Sequence, residues 1–236
     1  MDVKRGRFIV FDGPDGSGKA TQTRIFVKRL DAEGYRTRKL EFPQYGKNIF
    51  ADSVTAYLNG TFGNPVNINP YLASLFYTAD RFKAAPQIIQ DQKEGIISVT
   101  DRYTSASMGH QAAKILNLGK RTKYIEWLRE IEFGEKGFGL PKPDLVVLLD
   151  VDPSTSHKLA SARSHFIGRE ADKHETDYDY VQRVAQAFRS VAASEPTWRT
   201  VNCMNKNRKM LRPDVIAKKV WNIVQPYLPP IDRRRN

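Results

Sequence analysis

Cysteine is almost absent from this chain, whose 236 residues include a single one, Cys203. One cysteine excludes an intramolecular disulfide and is typical of proteins in a reducing compartment. No apolar run approaches the roughly 18 residues that a membrane-spanning helix needs. The first residues, Met1 to Arg5, lead directly into an apolar strand pattern, without the features of a signal peptide. We therefore expect a cytoplasmic protein with no membrane partner.

Positive charge, by contrast, is in excess. The chain carries 38 Lys and Arg residues against 26 Asp and Glu residues, which gives a formal net charge of +12. Such an excess suits a protein that handles polyphosphates, and it is also compatible with nucleic-acid binding. The basic residues are spread over the whole chain, and the only dense cluster, Arg233 to Arg235, lies in a terminal tail. We therefore expect no nucleic-acid partner.

A glycine-rich stretch separates the apolar run Phe8 to Phe11 from a helical pattern that begins at Thr21. Strand, glycine-rich loop, lysine and helix in this order indicate a phosphate-binding loop, or P-loop. The glycines let backbone N–H groups point inward, and the helix N-terminus adds its positive dipole end. Lys19 can reach the β- and γ-phosphates of ATP. The candidate ATP-binding residues are Gly13, Pro14, Asp15, Gly16, Ser17, Gly18, Lys19, Ala20 and Thr21.

Strand patterns alternate with helical patterns along the chain. The sequence predicts strands at 7–12, 36–42, 96–100, 145–149 and 198–201. It predicts helices at 19–33, 49–59, 70–93, 104–117, 122–134, 154–163, 177–193 and 213–227. The alternation predicts a single α/β domain, residues 1–236, of the P-loop nucleoside triphosphate hydrolase type, with a five-stranded parallel sheet covered by helices on both faces. Its ligands should lie at the carboxyl ends of the strands.

A polar segment, 163–175, has no apolar face and is flanked by helices. This pattern predicts a short lid whose closure brings positive charge to a transferring phosphate and excludes water. A solvated loop is the alternative.

Asp101 and Arg102 directly follow the third predicted strand. A carboxylate at a strand end beside a P-loop can hold Mg²⁺, and a neighbouring arginine can bind two phosphate oxygens with its fork. The alternative interpretation is that Asp101 is a helix N-cap and Arg102 is a surface arginine.

Tyr77 and Arg81 lie one turn apart on the long predicted helix, so they share a face. Together they could stack on a nucleotide base and bind its edge. Taken alone, such a pair is more often a core tyrosine beside a surface arginine. Phe76 and Phe82 are expected in the core.

Five motifs occur in the order and spacing of thymidylate kinases, which the chain resembles from about residue 7 to residue 225. They are Phe11 to Lys19, Phe42-Pro43-Gln44-Tyr45-Gly46, Tyr77 to Arg81, Asp101-Arg102-Tyr103 and Pro141 to Asp144. The resemblance implies transfer of the γ-phosphoryl group of ATP to dTMP, giving dTDP for dTTP biosynthesis. It also implies Mg²⁺ as cofactor, the fold of the nucleoside monophosphate kinases, and a homodimer.

The resemblance further implies roles for residues of the acceptor site. Asp15 would meet the 3′-hydroxyl of the deoxyribose, Tyr77 would stack on thymine, and Arg81 would meet its edge. The candidate substrate-binding residues are Asp15, Phe42, Pro43, Tyr45, Tyr77, Arg81, Arg102, Ser107 and His110.

The same resemblance assigns the catalytic charges. Asp101 would organise Mg²⁺ and the acceptor phosphate, and Arg102 would bridge the donor and acceptor phosphates. One subgroup of the family has an arginine where this chain has Gly16, so the chain resembles the subgroup that supplies catalytic arginines from the lid. The candidate catalytic residues are Lys19, Asp101, Arg102, Arg163 and Arg169, and the candidate metal ligands are Asp15, Asp101 and Glu175.

Four positions depart from the family pattern. Ala20 replaces the hydroxyl residue that usually holds Mg²⁺, and Tyr45 stands where many members have a phosphate-binding arginine. His110 falls where an aromatic ring usually packs under the sugar, and Ser107 falls where a small or polar residue often meets the base. Two alternatives therefore stay open: a kinase for another nucleoside monophosphate or a deoxynucleoside, and a P-loop protein that senses nucleotides without kinase activity.

Overall fold

The structure is a computed structural model, and it describes residues 5–166 and 177–231, with the backbone alone at 163–166. Its strands are β1 (Phe8–Asp12), β2 (Thr37–Glu41), β3 (Ile97–Asp101), β4 (Leu145–Asp150) and β5 (Trp198–Asn202). Its α-helices are α1 (Lys19–Ala32), α2 (Ile49–Leu58), α3 (Pro70–Lys93), α4 (Thr104–His110), α5 (Leu118–Phe133), α6 (Pro153–Phe166), α7 (Tyr178–Ser194) and α8 (Pro213–Val224). Short 3₁₀ helices span Ala112–Lys114 and Gln225–Tyr227.

The five strands form one parallel sheet in the order β2-β3-β1-β4-β5. Its centre is β1, which pairs with β3 through Ile9 opposite Val99 and with β4 through Ile9 opposite Leu145. The predicted five-stranded parallel sheet is therefore confirmed. Because β1 lies between strands from two halves of the chain, a crevice opens at its carboxyl end, where such sheets bind ligands.

Both faces of the sheet are buried, as the continuous apolar runs of its strands require. Phe8 and Val10 belong to one hydrophobic cluster, which also contains residues of α3, α4, α5 and α7. Ile9 and Phe11 belong to the other, which contains residues of α1 and α8. The two covering layers fix the central strand, and therefore fix the position of the loop that follows it.

Local capping sets the start of several helices. Asn48 and Asn69 each accept hydrogen bonds from backbone N–H groups in the first turn of α2 and α3. Pro70 occupies the first position of α3, where its missing N–H costs nothing. Asp177 caps α7 in the same way, accepting from Tyr180. These caps satisfy N–H groups that would otherwise be unpaired and fix the residue at which each helix begins.

Most predicted elements match the structure, with two corrections. The predicted helix 104–117 is broken, because α4 ends at His110 and a 3₁₀ turn follows. The expectation that Phe82 lies in the core is wrong, since this ring is 48% exposed and contacts Phe138 edge-on. The predicted lid, 163–175, begins inside α6, and its residues from 167 onward lie outside the described part of the chain.

The described helices include no apolar segment of the length that a membrane span requires. Cys203 is fully buried, and burial together with the nearby charge of Asp150 raises the pKa of its thiol to about 12. It is therefore a core residue and not a reactive thiol.

Candidate active site

A cleft of about 780 Å³ opens at the carboxyl ends of β1, β2 and β3. Register explains this convergence, because Asp101 at the end of β3 lies opposite both Phe11 and Glu41. The cleft is lined by all of the predicted substrate-binding residues: Asp15, Phe42, Pro43, Tyr45, Tyr77, Arg81, Arg102, Ser107 and His110. From the P-loop it is lined by Asp15, Gly16, Gly18, Lys19, Ala20 and Thr21, while Gly13, Pro14 and Ser17 are buried behind them.

Two P-loop glycines are required by their surroundings. Gly13 has φ of +148°, and a Cβ there would lie 2.7 Å from the carbonyl oxygen of Leu149. Gly16 has φ of +78°, and a Cβ there would lie 2.5 Å from the carbonyl oxygen of Ser156 in α6. Side chains are excluded at both positions by sterics as well as by backbone conformation. The P-loop therefore packs directly against α6, and it has no room for an arginine at position 16.

Lys19 is buried inside the loop that it follows. Its Nζ donates hydrogen bonds to the carbonyl oxygens of Gly13 and Pro14, both at 2.9 Å, and lies 3.9 Å from Asp15 Oδ1. Burial, together with the positive charge of Arg102, holds the pKa of Lys19 below its ordinary value. The ammonium group thus lies within the phosphate-binding loop, where phosphate oxygens can replace the two carbonyl oxygens that it contacts.

Arg102 connects the P-loop to α4. Its Nη2 donates to Asp15 Oδ1, and its Nη1 lies 3.0 Å from His110 Nε2. Because arginine has no acceptor, this bond requires the tautomer of His110 in which Nε2 accepts and Nδ1 carries the proton. Burial opposes ionisation of Asp15, but the charge of Arg102 outweighs it and lowers the pKa of that carboxyl. The carboxylates of Asp15, Asp101 and Asp12 in turn raise the pKa of Arg102 against the effect of burial.

The backbone at Arg102 is held in the left-handed region, with φ of 67°. Its N–H donates to the carbonyl oxygen of Phe11 at 2.9 Å, and its carbonyl accepts from Thr100 Oγ1 at 3.0 Å. A non-glycine residue in this region costs about 1–3 kcal/mol and is found where the surroundings over-determine it, often at functional sites. The strain turns the guanidinium from the end of β3 across the mouth of the P-loop.

Asp101 supplies a carboxylate with unused hydrogen-bonding capacity. Its Oδ1 is buried and, within residues 5–166 and 177–231, has no hydrogen-bond partner. No three His, Cys, Asp or Glu side chains in this part of the chain group as a metal site by themselves. Mg²⁺ in phosphoryl-transfer enzymes is usually held by one or two carboxylates, water and the nucleotide's own phosphates. The single unsatisfied carboxylate oxygen therefore fits a cation of this kind.

Tyr77 and Arg81 form the opposite end of the cleft. Arg81 Cζ lies 5.8 Å from the centroid of the Tyr77 ring. The reading of this pair as a core tyrosine with a surface arginine is wrong, because Arg81 is 1% exposed while Tyr77 is only half-buried. Arg81 Nη2 donates to Ser107 Oγ at 3.0 Å. The hydroxyl oxygen of Ser107 therefore accepts from Arg81 and keeps its own O–H as a donor.

Three residues near this end of the cleft are assigned no role from the sequence. Asp80 accepts from Gln44 N and Asn48 Nδ2 and so fixes the loop after β2. Gln111 lines the cleft, is 3% exposed, and its Oε1 has no partner in the described part of the chain. Glu132 is fully buried and accepts from Arg81. Asp80 and Gln111 adjoin recognisable residues, but nothing near Glu132 in the sequence indicates its position.

Three charged residues of the predicted site lie outside what the structure describes. The side chain of Arg163, at the end of α6, and the residues Arg169 and Glu175 lie outside the described part of the structure. Their assignment as lid arginines and as a metal ligand stays a prediction.

Comparisons with known proteins agree on one family. The sequence model described as "Thymidylate kinase" matches residues 11–214. The chain is 32% identical over 193 residues to the thymidylate kinase of Bifidobacterium longum (strain NCC 2705), covering 81% of this chain and 86% of that protein. It is 29% identical over 188 residues to the thymidylate kinase of Schizosaccharomyces pombe, covering 78% of this chain and 80% of that protein.

A solved structure supports the same fold. The thymidylate kinase of Candida albicans superimposes with a TM-score of 0.69 at 24% identity, covering 94% of this chain and 92% of that one. The family match spans the strand ends, the P-loop and the helices that line the cleft. The chain therefore belongs to the thymidylate kinase family, whose members use ATP to phosphorylate dTMP to dTDP.

Proposed function

We propose that the cleft holds both nucleotides of this reaction, with the ATP phosphates on the P-loop and the thymine base between Tyr77 and Arg81. The observation that carries the proposal is that one cleft joins the two ends and Arg102 lies between them. An arginine at that position can bind oxygens of both phosphates with its fork. The product, dTDP, is the precursor of dTTP.

The acceptor phosphate needs no general base. As a dianion at neutral pH it is already nucleophilic, so its oxygen attacks the γ-phosphorus of ATP in line, and the bond to the β,γ-bridging oxygen breaks. Positioning and charge neutralisation are then the tasks of the protein. Lys19 and Arg102 contact the oxygens on which negative charge accumulates. Asp101, and Asp15 through water, would hold Mg²⁺, which neutralises charge on the β- and γ-phosphates when it is bound.

Further positive charge has to come from the lid in this proposal. Position 16 cannot carry an arginine without moving α6, because even a Cβ would collide with Ser156. Arg163 and Arg169 are the candidates, and Glu175 is a candidate acidic group near the metal. The function of these residues rests on the resemblance and on the exclusion of an arginine from the P-loop.

At the base end, the donors and acceptors of the cleft match a pyrimidine. Tyr77 offers a ring face for stacking, and Arg81 offers N–H donors for a carbonyl oxygen at the base edge. Gln111 offers an unpaired Oε1, which can accept the N3–H that thymine carries. His110 and Tyr45 line the part of the cleft between base and phosphate, where the sugar would lie.

A substrate panel tests the proposal directly. ADP release is measured with ATP and each of dTMP, dUMP, dCMP, dGMP, UMP and ribosyl-thymine monophosphate, and also with thymidine. We expect the highest catalytic efficiency with dTMP. A different preferred monophosphate, or thymidine, would identify the acceptor as another nucleotide or nucleoside. Nucleotide binding without turnover of any acceptor would favour a sensor.

His110 should weaken discrimination against ribose. An apolar wall rejects an added hydroxyl by only about a hundredfold at best, and an imidazole is smaller than a tyrosine ring and can hydrogen-bond to a 2′-hydroxyl. We expect measurable activity on ribosyl-thymine monophosphate, and a higher deoxy-to-ribo ratio of kcat/KM in His110→Tyr. Because His110 also bonds to Arg102, the ratio is the informative quantity and the absolute rate is not. An unchanged ratio would mean that His110 does not meet the sugar.

We propose that the protein acts as a cytoplasmic homodimer, without nucleic-acid or membrane partners. Support for a dimer comes from α3, whose exposed side carries Leu72, Leu75, Phe82 and Ile89. The last three are spaced by seven residues and share one face of the helix, which lies about a quarter of a turn away from the buried side chain of Arg81. An apolar stripe of this kind on two copies can pack about a twofold axis.

A charged substitution in the apolar stripe of α3 tests whether this surface forms the dimer interface. We expect wild-type protein to sediment as a dimer and Phe82→Glu to sediment as a monomer, because each dimer would bury two carboxylates against apolar surface. Leu116→Glu, at a 72% exposed leucine outside α3, is the matched control and should leave the dimer intact. A monomeric wild type, or a fully dimeric Phe82→Glu, would exclude this interface.

A further inference from the structure

Arg81 is held by a buried network whose central member is Glu132. Glu132 Oε1 accepts from Arg81 Nη1 at 2.5 Å and from Thr78 Oγ1 at 2.8 Å, and its Oε2 accepts from Thr104 Oγ1. Both members of the ion pair are almost completely buried. The network joins α3, α4 and α5, whereas Glu132 itself does not line the cleft.

We infer that Glu132 is a positioning residue that sets the specificity for the base by fixing the orientation of the Arg81 guanidinium. The inference rests on the proposed function, in which Arg81 meets the base edge. A buried arginine without a counter-charge would be strongly disfavoured, so its guanidinium would move toward water in the cleft. Glu132 accepts a hydrogen bond from Nη1 of Arg81, and Ser107 accepts one from Nη2, so both terminal nitrogens of the guanidinium are held in place.

The fixed orientation of the Arg81 guanidinium determines which chemical groups on the base edge the site can bind. The remaining N–H groups of Arg81 are donors only, so they favour a carbonyl oxygen at the base edge and disfavour an amino group. The Nε of Arg81 is buried and has no hydrogen-bond partner within the part of the chain that is described, which leaves the fork with spare donor capacity. A guanidinium free to change rotamer could instead turn away from an amino group. Discrimination between the 4-oxo group of thymine and the 4-amino group of cytosine should therefore depend on Glu132.

The test is Glu132→Gln, which keeps the shape and removes the charge. We expect the KM for dTMP to rise by about tenfold or more, the effect of losing one charged hydrogen bond. The KM for ATP should stay within about twofold, and the preference for dTMP over 5-methyl-dCMP should fall by a similar factor. Glu132→Asp keeps the negative charge on a side chain that is one methylene shorter. Its KM for dTMP and its base preference should lie between those of wild type and Glu132→Gln. Glu126→Gln, an exposed glutamate on the same helix, should change none of these values.

A merely structural role gives a different result. If Glu132→Gln melts at a lower temperature but keeps wild-type KM values and base preference at a temperature where it is folded, the positioning role is refuted. If Glu132→Gln does not fold, Glu132→Asp decides between the same outcomes. Arg81→Lys separates this inference from the proposed base site. A normal dTMP KM in Arg81→Lys would refute the base site itself, whereas a raised KM there with normal Glu132 variants would refute only the role of Glu132.

Discussion

Lys19→Ala should lower the turnover number by roughly a thousandfold, the loss expected when a charge that stabilises the transferring phosphoryl group is removed. The structure places Nζ within the P-loop, where it donates to the carbonyl oxygens of Gly13 and Pro14 and lies 3.9 Å from Asp15 Oδ1. In the proposed complex these carbonyl partners are exchanged for phosphate oxygens, and the contact strengthens as charge develops in the transition state. The measurement is steady-state ADP release with saturating ATP and dTMP.

The fold should survive this change. The variant loses hydrogen bonds to two carbonyl groups, but it also removes a buried cation that lies close to Arg102, whose charge lowers the pKa of Lys19. Circular dichroism and thermal melting check that Lys19→Ala remains folded, and direct titration with ATP reports any loss of binding. Lys28→Ala, an exposed lysine on the same helix, serves as the matched control and should turn over normally. Near-normal turnover in Lys19→Ala would exclude the P-loop as the donor phosphate site.

The features that the sequence predicts best are those determined locally. The P-loop is recognisable because its glycine conformations, its lysine and the following helix lie within a few residues of one another. The order of motifs at strand ends predicts the shared cleft, since parallel strands bring their carboxyl ends to one edge. The spacing of Tyr77 and Arg81 correctly places them on one helix face.

What the sequence does not determine is which face of a helix is covered, and by what. Arg81 is buried because Glu132, 51 residues away in the chain, offers a counter-charge, and no local pattern encodes that pairing. Phe82 is 48% exposed although its hydrophobicity predicts burial, because the face of α3 that it occupies is left largely uncovered by residues 5–166 and 177–231. In both cases the outcome depends on contacts between distant segments, which propensity and periodicity do not specify.

Arg102→Ala should reduce the turnover number about a thousandfold, the loss expected when an arginine that stabilises a transferring phosphoryl group is removed. The guanidinium lies between the P-loop carboxylate of Asp15 and the imidazole of His110, and it is held there by a left-handed backbone at φ of 67°. A strained residue with its charge directed into a cleft indicates that its position matters for function. Because Arg102 is proposed to contact both phosphates, the KM values for ATP and dTMP should both rise.

Two comparisons make the Arg102 result specific. Arg102→Lys keeps the charge but loses the planar fork, so it should recover only part of the lost activity. Arg189→Ala is the matched control, because Arg189 also pairs with an aspartate at a strand end, Asp150 at 2.8 Å, yet does not line the cleft. Removing that exposed pair should change stability by less than about 1 kcal/mol and leave turnover unchanged. If Arg102→Ala lost no more activity than Arg189→Ala, the guanidinium would be a structural clamp on Asp15 and not a catalytic group.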